Sequence, residues 1–364
     1  MKKILSSVLI IAVWMILPMT LWATEVIQDE VSNTDTKVFY RGLGGDGYPV
    51  TPTAGLPAGW NSDSSFDESG WSLASQFINP PVEYLIPTDL PFNMTGAQWI
   101  SISQNGTGAD IAETSGARGV YLYRKTFQVP AVAYNVSAEA AIASDNYGWL
   151  YLNGVEVLEP EDDTKNDRNF QAPPSSASIS TKLLACNNVL AAEVQNGCGD
   201  CTNNIAPNAQ ATNLANGVTG TIFSLTLDYE LPDMVWQPPV TNLGSSGRKN
   251  GSTLPLKFRF YTQEGKLIKQ PQQVYLAVHE GGYAEELGEI VAEWNLGNSV
   301  RNMRFSKGNG QYIANFQTNK MNLDDGPYTA VVHDGCTDEV LGYIEFNLVG
   351  KKKEKDPKPP KPKK

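Results

Sequence analysis

From Gly119 to Asn196 the chain alternates bulky apolar and polar residues with a period of two, in three successive runs. A period of two gives a strand one buried face but scatters apolar groups around a helix. The first run, GVYLYRKTFQVP, alternates from Val120 to Phe127, and Pro130, with no N–H to give a ladder, stops it. In the second, AAIASDNYGWLYLNGVEV, Asp145-Asn146 and Gly148 make a turn and Trp149 to Leu152 a short strand. Asn153-Gly154 follows, the pair that tolerates positive φ at both central positions of a type I′ hairpin. The third, Asn188 to Asn196, directs Val189, Ala191 or Ala192, and Val194 to a core and Glu193 and Gln195 to water.

The order YRKTF, a turn and WLYLNG, then NNVLAAEVQN resembles the galactose-binding-like jelly-roll modules, including the sugar-binding domain that precedes the barrel in β-galactosidases. The resemblance spans roughly residues 60 to 230 and supports a fold more than a function. Upstream, GWNSDSSFDESGWSLASQF spaces Trp60, Phe66 and Trp71 with turn residues, and Asp67 opens a tight turn. Similar modules carry a "W, then FD-x-S-G-W" opening, which implies that Trp60 and Trp71 pack around the first strands or line a ligand groove.

Turn chemistry divides the rest. Residues 24–58 read as an irregular lead-in in which Lys37 to Arg41 alone looks like a strand. Residues 59–231 form the jelly roll. Within it, Ser103 to Arg118, the Asp-rich stretch before Pro173-Pro174, and Gly197 to Gly217 are long polar loops, and Thr221 to Tyr229 is the closing strand. Pro232, Pro238 and Pro239 mark 232–246 as a linker. From 247 to 349, at least six short strands with regular turns predict an immunoglobulin-like sandwich. Its GST-x-P-x-K-F opening (Gly251 to Phe258) and its "GQY, F-x-T, DG-x-Y" second half resemble the PxKF accessory modules of exported microbial proteins. The expected fold is therefore all-β, a jelly-roll β-sandwich followed by a smaller Ig-like one, with Tyr328 placed for a corner hydrogen bond.

Lys2 and Lys3 before an apolar run ending at Ala23 read as a signal peptide, residues 1–23. An uncleaved anchor is the alternative, and membrane contact is expected only then. Either way the body is secreted or at the cell surface. Residues 350–364 are a Lys/Pro-rich tail, disordered in expectation, either simply solvated or attached to an anionic envelope polymer. From Lys351 on it carries eight lysines against Glu354 and Asp356, a net of +6 in a chain of net −11, which leaves −17 for the body. So acidic a body excludes nucleic acid as partner. Cys198-Gly-Asp-Cys201 reads as a small disulfide loop or half of a zinc site. Cys186 and Cys198, at opposite ends of a strand, are too far apart to pair, and no partner emerges for Cys186 or Cys336.

Motifs for catalysis are missing: no H-E-x-x-H, G-x-S-x-G or phosphate-binding glycine loop occurs, and His279 and His333 read as strand residues. No catalytic residue is assigned, although Asp145, Glu156, Glu159 and Glu193 are the carboxylates to inspect for an opposed acid pair. Trp60, Trp71, Trp99, Tyr147 and Trp149 are the candidate sugar-stacking surfaces, with burial in the core as the competing reading. Asp145, Asn146, Asp162, Asp163 and Asp167 would supply oxygens to a structural Ca²⁺, or stand as solvated loop groups. Asn93, Asn105, Asn135 and Asn250 sit in N-x-S/T sequons. The expected function is non-catalytic binding of an extracellular glycan or cell-envelope polymer. The alternatives are a structural or adhesive envelope protein, with its aromatics buried, and a carbohydrate-active enzyme, with two opposed acids.

Overall fold

A computed structural model of the chain describes residues 25–41, 56–76, 97–98, 100–101, 119–145, 147–159, 175–196, 220–241, 247–283, 287–297 and 302–350. The first sandwich is built from β1 (Glu25–Val31), β2 (Lys37–Arg41), β3 (Ser72–Leu73), β4 (Ser75–Gln76), β5 (Ile100–Ser101), β6 (Gly119–Val129), β7 (Tyr134–Asp145), β8 (Tyr147–Leu152), β9 (Val155–Leu158), β10 (Ser175–Ser178), β11 (Cys186–Asn196) and β12 (Gly220–Glu230). The second comprises β13 (Asp233–Gln237), β14 (Arg248–Lys249), β15 (Thr253–Tyr261), β16 (Val274–Glu280), β17 (Ile290–Asn295), β18 (Arg304–Ser306), β19 (Gln311–Gln317), β20 (Gly326–Asp334) and β21 (Val340–Val349).

In the first sandwich one sheet runs β10-β7-β12-β5-β4, with β1 also paired to β12, and the other runs β3-β2-β6-β11-β8-β9. The three alternating runs become β6, β7 to β9, and β11. β11 pairs antiparallel with β6 from Gly119↔Asn196 to Val129↔Cys186, and with β8 on its other side. Asn153 and Gly154 take φ of 53° and 78°, the left-handed region that the turn between β8 and β9 requires. Tyr121, Tyr123, Leu150, Leu152, Leu190 and Val194 face Ala138, Ala140, Ile142, Phe223, Leu225 and Leu227 in one buried core. Small alanines beside large tyrosines keep such a layer close-packed.

The lead-in differs from its expectation. Residues 25–31 pair with β12 along their whole length, Glu25↔Glu230 to Val31↔Ser224, so this part of the expected lead-in belongs to the sandwich. The sequence EVIQDEV hides this because β1 is an edge strand, and edges carry charge that blunts further pairing.

The second sandwich stacks β13-β15-β19-β18 on β14-β21-β20-β16-β17. The PxKF opening lies in β15, with Leu256, Phe258 and Phe260 inward and Phe258 stacked on Tyr312 at 4.8 Å. The Tyr328 hydroxyl donates to the Asp324 carbonyl at 3.0 Å, the expected corner bond. Residues 233–237, read as linker, form β13 instead. The prolines flank this edge strand without interrupting it, and Trp236 packs against Phe258 with ring centres 5.7 Å apart. Asn250, one of the sequon asparagines, is buried and donates to the Leu323 carbonyl (2.9 Å) and Asp325 Oδ1 (3.0 Å), so it holds a turn.

Two residues, Leu231 and Pro232, connect the sandwiches. A disulfide between Cys186 and Cys336, 150 residues apart, joins them a second time. Beside it the fully buried Asp334 accepts the Val132 N–H of the first sandwich (3.1 Å) through Oδ2. Through Oδ1 it accepts the N–H groups of Cys336 (2.8 Å) and Thr337 (3.0 Å). Val132 itself is buried in the second sandwich's core, and the Gln263 N–H donates to the Tyr134 hydroxyl at 2.9 Å.

Candidate functional site

The strand registers give the first sandwich two unlike ends. At one, β6 ends and β11 begins, and the contacts of Val132, Tyr134 and Cys186 hold it against the second sandwich. At the other, Gly119 lies opposite Asn196, Val120 opposite Arg41, Gln195 opposite Tyr147, Gly220 opposite Asp145 and Thr221 opposite Ile100. The ends of β2, β5, β7 and β11 and the starts of β6, β8 and β12 therefore gather at the free end. Between Asp145 on β7 and Tyr147 on β8 the chain passes there from one sheet to the other.

Two sequence-predicted residues, Asp145 and Tyr147, are placed at this end. Asp145 closes β7 and Tyr147 opens β8; their backbones are placed, and their side chains lie outside the described residues. Asn146, Asp162, Asp163, Asp167, Trp99, Cys198 and Cys201 also lie outside them, as do Asn93 and Asn105. Among the described residues no group of three or more His, Cys, Asp or Glu is arranged to hold a metal ion.

The placed tryptophans correct the stacking expectation. Alternation on β8 turns Trp149 and Tyr151 away from the inter-sheet core, yet outward does not mean exposed. Residues 56–71 fold over that face, and Trp60 (5 % exposed), Trp149 (3 %) and Tyr151 (6 %) share a second buried cluster with Val120, Leu122 and Val189. Neither Trp60 nor Trp149 offers a ring face to a sugar. Trp71 is half-buried, its ring 6.5 Å from Trp60 and 5.5 Å from Phe39.

The covering segment is fastened by polar groups that the alternation did not single out. Arg124, fully buried on the outer face of β6, donates to Glu68 Oε1, to the Trp60 carbonyl (2.7 Å) and to the Asp63 carbonyl (2.6 Å), and its guanidinium lies 5.4 Å from the Phe66 ring centre. Asp63 accepts from the Ser65 hydroxyl (2.7 Å) and N–H (2.8 Å), and these bonds hold its carboxyl below the ordinary value. Asp67 accepts the Ser69 N–H (2.9 Å), the predicted tight turn, and is lowered by it.

Two of the inspected carboxylates, Glu193 and Glu156, occupy the same outer face. Glu193 is buried, and Glu156 lies directly opposite Tyr151 in the β8–β9 pairing. Burial first, then the charges of Glu193 and Glu156, pushes the Tyr151 phenol well up, and Tyr151 donates to Glu193. Burial also raises the Glu156 carboxyl, with Glu159 and Glu193 adding repulsion. Glu156 and Glu193 lie on one sheet face, so these two do not form the pair facing each other across a cleft that glycoside hydrolysis needs. Both histidines lie on strands as predicted, His279 on β16 and His333 on β20, where His333 stacks on Tyr275 at 4.6 Å.

No protein-family model and no curated protein matches the chain. Solved structures do. One is a β-glycosidase from Bacteroides vulgatus, 12 % identical over 87 % of this chain and 33 % of that one, with a TM-score of 0.27. A β-glucuronidase from glycoside hydrolase family 2 is 14 % identical over 88 % of this chain and 30 % of that one, with a TM-score of 0.30. A Bifidobacterium dentium β-glucuronidase complexed with coumarin-3-O-glucuronide is 13 % identical over 89 % and 48 %, with a TM-score of 0.28. The chain thus spans less than half the length of each.

Proposed function

We propose that the chain is an exported, non-catalytic binding protein. Its first sandwich engages an extracellular glycan or cell-envelope polymer at the free end, and its second, an Ig-like module of the PxKF type, is the stalk. The observation that carries this reading is the polarity of the first sandwich: one end is fastened to its neighbour, while the other gathers strand ends from both sheets around Asp145 and Tyr147. Binding groups concentrate on connections held by the ends of a rigid sandwich. The Cys186–Cys336 bond supports export, since structural disulfides persist outside the reducing cytosol. Leu256 and Phe258 in the opening strand and the Tyr328 corner support the PxKF assignment.

A second reading, an envelope scaffold without a ligand site, is favoured by the burial of Trp60 and Trp149. The two separate in a binding screen of the secreted form on a polysaccharide and glycan panel, with and without EDTA, beside a Tyr147→Ala variant. Binding that the variant weakens about tenfold, at unchanged melting temperature, supports the glycan reading. EDTA sensitivity would bring in the Asp-rich connection. A blank panel leaves the scaffold. Trp149→Ala is unsuitable as a binding probe, because it would open a cavity in a buried cluster.

A further inference from the structure

We infer that the joint between the sandwiches is a redox latch, in which Cys186–Cys336 switches the pair between a fixed body and a hinged one. The inference is independent of the ligand reading. Three observations carry it. First, Leu231 and Pro232 are the direct covalent link, about which the joint can swing once Val132 leaves the second core and its N–H leaves Asp334; the disulfide is a second tether that removes this freedom. Second, both cysteines are only half-buried, so a small dithiol or a dithiol oxidoreductase can reach the bond. Third, the contacts beside it are built to bring the sulfurs back together. Asp334 grips the Cys336 turn through the Cys336 and Thr337 N–H groups and, with its other oxygen, takes the Val132 N–H of the opposite sandwich.

In the opening step a dithiol passes two electrons and two protons to the bond. The S–S linkage breaks, Cys186 and Cys336 become thiols, and the dithiol closes to its own disulfide. Closure is the reverse exchange with an oxidised dithiol. The sheets of each sandwich stay paired throughout, since the bond joins the first residue of β11 to the turn after β20 and bridges no two strands of one sheet, while Val132 leaves the second core as the joint opens.

Small-angle scattering of the secreted protein, oxidised and in dithiothreitol, tests this, with a Cys186→Ser/Cys336→Ser variant to separate this bond from the other cysteines. Reduction is expected to widen the spread of interdomain distances about twofold. The double variant should match the reduced form in either buffer, and re-oxidation should restore the starting curve. An unchanged curve would overturn the latch, because the non-covalent contacts would then hold the joint alone. A red shift of Trp236 and Trp294 emission on reduction would overturn it too, by showing that the bond keeps the second sandwich folded. Asp334→Ala should slow re-closure several-fold, and Asp334→Asn, whose single acceptor oxygen can hold the Cys336 turn but whose amide N–H groups oppose the Val132 N–H, should slow it less; wild-type re-closure in both variants would remove Asp334 from the device.

Discussion

Arg124 shows how one side chain sets what a sheet face can do. A buried guanidinium is tolerated only when its donors are met, and here a carboxylate and two carbonyls meet them. Arg124→Met leaves Glu68 and those carbonyls without their donor, and is expected to cost about 3–5 kcal/mol in urea denaturation while exposing Trp60. Tyr134 acts at the joint. Burial first, then its hydrogen bond to Glu230, pushes its phenol up to about 12 from an ordinary 10.0. A phenol raised on folding contributes stability that is fully present below the unfolded value and is lost as pH rises from there through the folded value. Stability should therefore fall between pH 10 and about pH 12 by more than in Tyr134→Phe, a difference that alkaline denaturation curves would show.

At the scale of elements, the β8–β9 hairpin works as a coupling as well as a turn. The Gly154 N–H donates to the Asn61 carbonyl at 2.7 Å, Asn153 Oδ1 accepts the Val189 N–H at 2.9 Å, and Asn153 Nδ2 donates to Asn188 Oδ1 at 2.8 Å. The turn thus ties β11 and the covering segment together. A Cβ at Gly154 would meet Ser62 Cβ at 2.6 Å, on a backbone already at φ 78°. Gly154→Ala is expected to destabilise by about 1–3 kcal/mol, read as a lower melting temperature, with Trp60 fluorescence changing first. The hairpin itself was legible in Asn153-Gly154; its contact with residues 61 and 62 was not, because a turn signal is local and that contact spans about ninety residues of chain.

For the whole molecule, the 150-residue separation of Cys186 and Cys336 makes their bond a restraint on the unfolded chain as well as a latch on the folded one. Cys186→Ser/Cys336→Ser is expected to lose about 2–5 kcal/mol by calorimetry, with each sandwich still melting as a β-structure. The sandwiches also share contacts: Val132 enters the second core, and Leu231 packs against both.

Local pattern determined most of the architecture. Period-two alternation made β6, β8, β11 and β15, turn residues placed the hairpin and the Tyr328 corner, and neither needs a distant partner to be specified. The tertiary structure decided the rest. Alternation says which residues share a face but not what lies on it, so stacking and burial stayed open for Trp149 until residues 56–71, Trp60 among them, proved to cover it. Charge disguised β1 because an edge strand needs little apolar surface, and prolines disguised β13 because they sit just outside it. The Cys186–Cys336 pairing depended on the start of β11 meeting the turn after β20 across separate sandwiches, a proximity set by the packing of the whole chain and by no spacing within it.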